Sequence, residues 1–433
     1  MTAGGTLNSD RTQVVVVGGG PAGAATAFYL ARAGVDVTVL DRARFPRDKP
    51  CSEYMSPQAS RILDDMGVLH RIEESGGAHL GGMRVRAPSG VTFQGRFAEV
   101  EGYSGYRDRG LALRRTILDK LLLDRARECG ANVREGVRVT TIVNDSLGRA
   151  VGVELLDSNG AHRSLSCDIV IAADGLRSTI ARRVSLTATR LAQRRLAFVT
   201  HFIGIEGMSD NGEMHVERDG YLGLADVGGG VTNVAVVVPH AQARAAAGDS
   251  AGFVDDWIRR RRHVMSRFAN AVRVTPVLAT GPFASHSRRA WAPGVALVGD
   301  AADFFDPFTG EGIYAALRGA ELLAPHVVSA LTGTARDADA SLAAYDRVRV
   351  REFAGKWVVE RIIGAAVTFP SLMNVAARSL ALRPTMAHTI VGVTGDFVPA
   401  REVLRPGFLA RLLMPWKFGA KRVAPALTSS ESS

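Results

Sequence analysis

A strand, a glycine-rich turn and a helix at residues 13–33 constrain the fold more than any other feature. The segment reads QVVVVGGGPAGAATAFYLARA, and its consecutive valines predict a strand that is buried on both faces. The glycines have the G-x-G-x-x-G spacing, which permits a tight turn, close approach of a pyrophosphate and close packing of helix on strand. The helix start would offer free N–H groups to the phosphates. The predicted phosphate-binding residues are Gly18, Gly20, Pro21, Ala22 and Gly23.

The second predicted strand, VDVTVLDR, ends at an acidic residue. Asp41 lies 18 residues beyond Gly23 and is followed by Arg42. A carboxylate at this point can accept hydrogen bonds from the ribose hydroxyls of an adenosine, and it disfavours a 2′-phosphate there. The order of strand, glycines, helix, strand and acid therefore predicts a dinucleotide site. Asp41 and Arg42 are part of it, while NAD and FAD both remain open at this point.

A second strand–turn–helix segment lies nearly 280 residues later and reads GVALVGDAADFFDPFTGEGIYAALRGAELL. It resembles the GD motif of the flavoprotein hydroxylases and of the geranylgeranyl-reductase-like flavoproteins. The resemblance implies that Asp300 binds the ribityl chain of FAD, and that the turn and helix start face the pyrimidine end of its isoalloxazine ring. The positive end of that helix would stabilise negative charge on reduced flavin. The implied residues are Asp300, Pro307, Gly310, Gly312 and Ile313.

A third segment, CDIVIAADGLRSTIARRV, resembles the DG motif of the same families and adds Asp174 and Gly175. Upstream, LALRRTILDKLLLDRA resembles the pattern in which an arginine before a helix reaches the FAD pyrophosphate or ribityl chain. Its register favours Arg115 over Arg114. The strand VRVTTIV is expected to present the backbone of Val139 to the adenine. Because the two ends of FAD need two separate strand–turn–helix sites, the resemblance selects FAD.

The predicted fold class is α/β, with a Rossmann-like, hydroxylase-like FAD-binding domain, an inserted antiparallel substrate domain and a C-terminal helical region. Alternating apolar and polar residues predict that the substrate domain is a sheet with one face covered, which roofs the flavin. The triple glycine in DVGGGVTNVAVVV precedes a strand, so it predicts a hairpin turn. The expected segments are 11–80, 107–185 and 280–345 for FAD, 81–106 and 186–279 for substrate, and 346–433 for the helical region.

Composition narrows the class of partner. Lys and Arg number 53 against 43 Asp and Glu, so the net charge of +10 favours anionic partners. A nucleic-acid partner is not expected, because zinc-finger, helix-turn-helix and aromatic–basic RNA motifs are absent from the sequence.

Three scattered cysteines and a polar start predict a cytoplasmic protein. The longest apolar run, from Ile362, is too short to span a membrane and contains Pro370. The basic, aromatic C-terminal segments have two possible interpretations: a helical cap packed on the substrate domain, or a surface that contacts anionic lipid.

The resemblance leaves two reactions open. The first expectation is a monooxygenase that hydroxylates a lipophilic phenol or polyketide through a flavin C4a-hydroperoxide, and the alternative is a reductase of a lipid double bond. FPRDKPCSEYMSP resembles the reductases, but Ser52 and Glu53 stand where that group has glycines. The reductases' aromatic-rich YxWxFPKG segment is absent, and Asp303 occupies the place of the hydroxylases' histidine. A halogenase, whose WxWxIP motif is absent, and an FAD-binding protein without turnover are further alternatives.

Cys51 and Glu53 are the candidate catalytic residues, because the loop that carries them lies near the flavin ring in these families. Each could donate a proton, and a purely structural loop is the competing interpretation. His201 and His215 lie on predicted strands, where an isolated histidine usually belongs to the core or the surface. A second Rossmann fingerprint is absent from the sequence, so NAD(P)H is expected to bind only transiently as electron donor. A small lipophilic molecule is the expected substrate.

Overall fold

The strands that the sequence predicts to be buried form the centre of the protein. The computed structural model describes residues 10–189, 195–283, 285–304 and 306–414. The first valine strand, Val14–Val17, is buried at every position, and so are Val37–Asp41 and Ile169–Ala172. Strands covered on both faces have no solvent side that would favour polar residues, which explains why they read as continuous apolar runs.

The strands, in chain order, are β1 Asp10–Arg11, β2 Val14–Val17, β3 Val37–Asp41, β4 Tyr54–Met55, β5 Ala78–Leu80, β6 Gly82–Arg86, β7 Thr92–Arg96, β8 Gly110–Ala112, β9 Asn132–Glu135, β10 Arg138–Asn144, β11 Ala150–Leu156, β12 His162–Ser166, β13 Ile169–Ala172, β14 Thr187–Thr189, β15 Arg195–Ile203, β16 Asn211–Glu217, β17 Gly220–Asp226, β18 Val231–Pro239, β19 Val272–Arg273, β20 Leu278–Thr280, β21 Ser285–Ser287, β22 Trp291–Ala292, β23 Val295–Leu297 and β24 Asp303–Phe304.

The α-helices are α1 Pro21–Arg32, α2 Ala59–Asp65, α3 Leu69–Glu74, α4 Arg115–Glu128, α5 Thr179–Arg183, α6 His240–Ala243, α7 Ser250–Arg259, α8 Arg262–Met265, α9 Gly312–Ala330, α10 Ala335–Thr368, α11 Pro370–Ala381, α12 Pro384–Thr394, α13 Arg401–Leu404 and α14 Pro406–Leu413. Short 3₁₀ turns cover Arg244–Ala246, Ser266–Phe268, Gly299–Ala301 and Pro307–Thr309.

A six-stranded sheet carries the two glycine turns of the sequence. Its order is β22-β23-β13-β2-β3-β9, and its pairs are parallel except for the antiparallel edge pair β22–β23. Helices α1, α4 and α9 pack in the same apolar core as this sheet. The carboxyl ends of β2, β13 and β23 are neighbours, so the turns that follow these strands meet at one edge. This arrangement confirms the predicted α/β class with a Rossmann-like domain.

An eight-stranded sheet forms the second layer. Its path is β19-β15-β18-β17-β16-β6-β7, with β20 also paired to β15. Phe198, Leu222 and Val236 pack against α7 on one face, whereas Ala197 and Val237, on the opposite face, line the main cavity. The sequence predicts one covered face, but helices cover the outer face as well. The difference arises because α7 contributes its own apolar side, which alternation within the strands does not reveal.

The C-terminal helices close one side of this sheet. Residues of α10 to α14 share an apolar core with β6 and β7. Among the described residues no single helix is long and apolar enough to cross a membrane, although α10 and α11 pass that test as a pair bent by 111°. Pro370 begins α11 at this bend. The end of the predicted helical region, residues 415–433, lies outside the described residues.

The predicted hairpin at the triple glycine is confirmed. Strands β17 and β18 pair antiparallel, and Gly228, Gly229 and Gly230 between them all have positive φ. The central sheet draws its strands from the three segments that the sequence assigns to FAD, and the eight-stranded sheet draws nearly all of its strands from the two substrate segments. The domain boundaries themselves stay a prediction.

Candidate active site

The first glycine turn has the geometry that its spacing predicts. Gly18 has φ +103°, which favours glycine, and a β-carbon on Gly23 would lie 1.8 Å from the carbonyl oxygen of Gly18. Pro21 is the first residue of α1, where its fixed φ fits and its missing N–H costs nothing. Two of the three glycines are therefore required by the fold itself.

The third glycine of the motif, Gly20, faces a space flanked by cations. A β-carbon on Gly20 would lie 3.4 Å from Nη2 of Arg47 and 3.8 Å from Nη2 of Arg115. The start of α1 adds its free N–H groups and positive dipole. Two guanidinium groups and a helix N-terminus around an open backbone fit a diphosphate, which is the part of FAD that the sequence places here.

Arg115 is held rigidly in this position. Its guanidinium donates to both oxygens of Asp119, at 2.6 Å and 2.7 Å, and both side chains are buried. Nη1 of Arg47 lies 3.0 Å from the same carboxylate. Arg47 was not among the residues predicted from the sequence. Only its position four residues before Cys51 could have suggested it, and no motif marks that spacing.

Asp41 stands at the end of β3, beside the first turn. Its Oδ2 accepts a hydrogen bond of 2.7 Å from the amide of Gly19, and its Oδ1 accepts from the amide of Ala43 at 2.8 Å. Arg42 is exposed next to it. Val139 lies in β10, where it pairs with Leu155 in a separate four-stranded sheet. The ribose role of Asp41 and the roles of Arg42 and Val139 stay predictions.

The second glycine turn touches the first. Gly299 has φ +62°, and a β-carbon there would lie 2.9 Å from the β-carbon of Ala22. Asp300 lines the same cavity as Gly20 and Ala22, and its carboxylate lies 3.9 Å from Nζ of Lys49. The structure thus brings together the two strand–turn–helix segments that the sequence separates by nearly 280 residues.

In the third motif, the backbone of Gly175 and the side chain of Asp174 have different structural roles. Gly175 lines the cavity with φ +82°, and a β-carbon there would lie 3.5 Å from Nζ of Lys49. Asp174 instead caps α5, because its Oδ2 accepts from the amide of Thr179 at 2.7 Å. Burial raises the pKa of the Asp174 carboxyl. The Asp-Gly signal therefore combines a helix cap with a cavity-lining glycine.

The turn before α9 places four predicted residues at the far end of the cavity. Pro307, Gly310, Gly312 and Ile313 all line it, and α9 begins at Gly312. Gly310 has φ +74°, and a β-carbon there would lie 2.8 Å from the ring of Tyr54. A flat ring system can approach this stretch of backbone because no side chain intervenes at the glycines.

Of the two candidate catalytic residues, Cys51 lines the cavity and Glu53 lies behind it. Glu53 is buried with φ 63°, and its Oε1 accepts from the amide of Arg115 at 2.7 Å. Its Oε2 is 2.7 Å from Nε2 of His201 and accepts from Nδ2 of Asn233 at 3.0 Å. Glu53 thus ties the loop to two strands of the roof. His201, expected to be an isolated histidine, is its partner across 148 residues.

Two further polar groups at the cavity were not predicted. Asp306 receives Nη1 of Arg195 at 2.5 Å and the hydroxyl of Tyr221 at 2.8 Å, which links the turn before α9 to the roof. Lys356 of α10 contacts Glu311 at the start of α9. Both depend on contacts between elements far apart in sequence, so no local spacing signals them.

The cavity between the two layers is large and mostly apolar around its roof. Its empty space, including the opening to solvent, is about 2050 Å³. The roof side is lined by residues including Leu80, Met83, Val199, Met214, Val237 and Phe283. The opposite side carries both glycine turns. A cofactor along the turns would therefore have its redox end beneath an apolar roof, where a lipophilic molecule fits.

A parallel sheet with two converging glycine turns, paired cations at the diphosphate position and a roofed cavity define a flavin-nucleotide oxidoreductase fold. FAD bound there supplies two-electron chemistry, and the surrounding residues hold and orient it.

The chain belongs to the family described as FAD binding domain, whose model matches residues 11–359. The match covers most of the protein, including both glycine turns and the roof. It confirms the resemblance stated from the motifs and the assignment to FAD-dependent oxidoreductases.

Two relatives with sequence similarity over most of the chain are named as reductases. A menaquinone reductase of Mycolicibacterium smegmatis is 29% identical over 409 residues, which is 90% of this chain and 92% of the relative. A digeranylgeranylglycerophospholipid reductase of Methanopyrus kandleri is 30% identical over 310 residues, covering 70% of this chain and 74% of the relative. The solved structure of the myxobacterial chondrochloren halogenase has a TM-score of 0.75 at 21% identity, with 94% of each chain covered. At that identity it shows the fold only.

Proposed function

We propose that the protein is an FAD-dependent reductase that saturates a carbon–carbon double bond in a long lipophilic, isoprenoid-type substrate. One observation carries the proposal: two relatives with similarity over most of the chain, both at 29–30% identity, are named as reductases of menaquinone and of a digeranylgeranyl phospholipid. This choice departs from the first expectation from the sequence, which is hydroxylation, and adopts its alternative.

The shape and lining of the cavity support a lipophilic substrate. Leu80, Met83 and Phe283 line the roof above the turn at Gly310, so an apolar chain could lie along them with one bond near the redox end. Burial of an apolar chain is favourable by roughly 25 cal/mol per Å² of apolar surface removed from water. An enclosed apolar roof also excludes water from the reacting bond.

Different residues of the chain would hold the diphosphate of FAD and orient its ribityl chain. Arg47, Arg115 and the start of α1 would bind the diphosphate, while Asp300 and Lys49 would orient the ribityl chain. The network of Glu53, His201 and Asn233 fixes the Cys51 loop to the roof. The cofactor supplies the electron pair when reduced, and NAD(P)H is the proposed transient donor.

Hydroxylation of a lipophilic aromatic substrate is the second candidate. It is favoured by the absence from GYLGLADVGGG of the aromatic-rich segment that the reductases carry. This stretch forms β17 and the hairpin turn, and Tyr221, Gly223 and Leu224 line the cavity. The two candidates differ in their need for oxygen.

Product analysis under labelled oxygen separates the two reactions. FAD-loaded protein is incubated with NADH or NADPH and either a prenylated menaquinone or a lipophilic phenol, in ¹⁸O₂. A menaquinone product whose side chain has gained two hydrogens, measured after the ring has been reoxidised in air, and that carries no label supports the proposal. Labelled oxygen in a product of the phenol would contradict it and support hydroxylation.

We further propose that the C-terminal helices contact an anionic lipid surface from which the substrate is drawn. Phe369 at the bend between α10 and α11 and Ile362 on α10 are exposed apolar residues, and the chain carries a net charge of +10. Exposed apolar side chains on a basic protein suit the boundary between anionic headgroups and acyl chains.

A further inference from the structure

A buried cluster of one lysine and three carboxyl groups lies at the redox end of the cavity. Lys356 of α10 points between Glu311, at the start of α9, and Asp396, in the loop after α12. The lysine nitrogen lies 3.7 Å from Oε2 of Glu311 and is in direct contact with the carboxylate of Asp396. Glu360 lies one helical turn beyond Lys356 on α10. Glu311, Lys356 and Glu360 line the cavity beside Gly310.

The charges in this cluster do not balance when every group is ionised. Three carboxylates face one ammonium, and ionised groups that are buried without compensation are costly. Burial raises the pKa of Glu311, and burial together with the negative charge of Glu311 raises that of Glu360 well above its ordinary value. Burial lowers the pKa of Lys356, although Glu311 opposes this shift. Both carboxyl shifts favour a protonated carboxyl group in the cluster.

Unsatisfied oxygens in the same cluster mark it as more than a structural ion pair. Asp396 has φ 69° and a fully buried side chain; its Oδ1 contacts Lys356, whereas its Oδ2 has no hydrogen-bond partner among the described residues. Oε2 of Glu360 is likewise buried without a hydrogen-bond partner in the described part of the chain. A structural site normally satisfies such groups, so their retention beside the cavity fits a proton-handling role.

We propose, on the basis of the reductase function above, that Glu311 is the proton donor to the substrate and that Lys356 and Glu360 are positioning residues that hold and replace its proton. Glu311 is the member of the cluster at the helix start that carries Gly312 and the redox-end turn. Its carboxyl group lines the cavity, whereas Asp396 contacts the lysine from behind.

The step balances in atoms and electrons. One alkene carbon receives a hydride from the reduced cofactor, and the π electron pair of the double bond forms a new C–H bond with the Glu311 proton. The O–H bond of Glu311 breaks, and its carboxylate is left beside the Lys356 ammonium. Transfer of a proton from Glu360, and ultimately from solvent, restores the acid. The reduced cofactor is oxidised and the alkene is reduced.

A single-turnover experiment tests the role of Glu311. FAD-loaded protein is reduced with dithionite, mixed anaerobically with prenylated menaquinol, whose ring is already reduced and cannot reoxidise the flavin, and followed by the return of oxidised-flavin absorbance. Glu311→Gln keeps the size of the side chain and its ability to accept from lysine. It should slow reoxidation by about a hundredfold or more, as expected for loss of a general acid, with flavin content and substrate Kd unchanged. Glu321→Gln is the matched control, because Glu321 lies on α9, whose start carries Glu311, but pairs with Arg61 and Arg318 away from the cluster. It should stay within about twofold of wild type.

Two neighbouring groups are the competing donors. Tyr54 lines the cavity with a buried hydroxyl that lacks a hydrogen-bond partner among the described residues, and Cys51 also lines it. Wild-type reoxidation rates in Tyr54→Phe and Cys51→Ala support the proposal. A wild-type rate in Glu311→Gln would overturn it, and so would a hundredfold loss confined to either competitor.

A measurement on the protein without cofactor tests the cluster independently of turnover. The infrared spectrum of the apoprotein at neutral pH should contain the carbonyl band of a protonated carboxyl group. That band should be lost or shifted in Glu311→Gln or Glu360→Gln and unchanged in Glu321→Gln. Absence of the band from the wild type would overturn the proton store. If the band is present but the reduced wild type never transfers hydrogen to the lipid, the proposed function fails and the donor role fails with it. If the wild type does reduce the lipid, only the variants decide the role of Glu311.

Discussion

Gly20 and Gly23 belong to one motif but serve different physical purposes. A β-carbon on Gly23 would overlap the carbonyl oxygen of Gly18, whereas one on Gly20 would meet only the ends of two arginine side chains at ordinary contact distance. Gly20 also has φ −72°, which any residue can adopt. The fold thus requires Gly23, while Gly20 is required by what binds over it.

This difference predicts opposite behaviour of two valine substitutions. Gly20→Val should fold with a melting temperature close to that of the wild-type apoprotein, yet purify without flavin because the side chain fills the diphosphate position. Gly23→Val should lower the melting temperature sharply, since overpacking of this kind costs about 1–3 kcal/mol or more. Flavin absorbance per protein and thermal unfolding measure both effects. A fully yellow Gly20→Val protein would contradict the placement of the cofactor.

Asp300 should matter less than the glycine. Asp300→Ala removes about one hydrogen bond to the cofactor and the partner of Lys49, and a hydrogen bond is worth about 0.5–1.5 kcal/mol. We expect the Kd for FAD to rise roughly fivefold, which corresponds to about 1 kcal/mol. Titration of the apoprotein with FAD by fluorescence quenching measures it. An unchanged Kd would place the ribityl chain elsewhere.

Residue-scale contacts were predictable only where they are local. The turn at Gly18 and the strand-end Asp41 follow from spacing, because both lie within one strand–turn–helix–strand segment, whereas Gly310 is indicated only by the family resemblance. The partnership of Glu53 with His201 does not, because the fold joins two side chains that sequence pattern treats as independent. The contact of Asp174 with the start of α5 could not be predicted either. The Asp-Gly motif does not show that its aspartate binds the helix while its glycine lines the cavity.

At the scale of elements, Arg195 connects the turn before α9 to the roof sheet and to α10. The guanidinium of this β15 residue pairs with Asp306 before the turn and donates to the carbonyl oxygen of Gly364 on α10 at 3.2 Å. Tyr221 of β17 donates to the same carboxylate. Two strands of the roof therefore converge on one carboxylate at the cavity, and Arg195 links it to α10 as well.

Removal of the arginine should destabilise the protein markedly. Arg195→Met leaves Asp306 buried without its cation, and breaking a buried pair in this way costs about 3–5 kcal/mol. Urea unfolding of the apoprotein measures the loss. Arg259→Met is the control, because Arg259 pairs with Asp256 on an exposed face of α7 and such pairs contribute about 0–1 kcal/mol. Equal effects of the two substitutions would show that the Arg195 pair does not fasten the turn.

The sequence predicts element types more readily than element partners. Alternation predicts the roof strands, and the triple glycine predicts the β17–β18 hairpin, because both are local patterns. The sequence does not predict that β6 pairs with β16 in parallel or that α7 covers the outer face of the eight-stranded sheet. These contacts join elements that are far apart in the chain. For the same reason Glu311 and Lys356 give no sign in the sequence that they meet.

At the scale of the whole molecule, the net charge and the exposed apolar residues of the C-terminal helices bear on access of the substrate. Phe369 is 58% exposed at the bend between α10 and α11. Leu147, between β10 and β11, is 90% exposed but lies on the small sheet of the nucleotide side. Contact of the C-terminal helices with a lipid surface should therefore depend on Phe369 and not on Leu147.

Vesicle co-sedimentation tests this expectation. The protein should bind anionic vesicles at low salt and release them as salt rises, because screening weakens the attraction. Phe369→Ser should reduce the bound fraction several-fold, whereas Leu147→Ser should not. Both variants should keep their flavin. Equal binding by the two variants, or none by the wild type, would contradict the proposed contact.

The proposed function depends most on a reduced cofactor that delivers its electrons to a lipid double bond beneath the roof. The most direct measurement is the absorbance of FAD-loaded protein, bleached with a limiting amount of dithionite and kept free of oxygen, on addition of prenylated menaquinol, whose ring is already reduced. The expected result is that the yellow colour returns with formation of an equal amount of lipid whose side chain bears two more hydrogens. A solution that stays bleached until oxygen is admitted would contradict the proposed function.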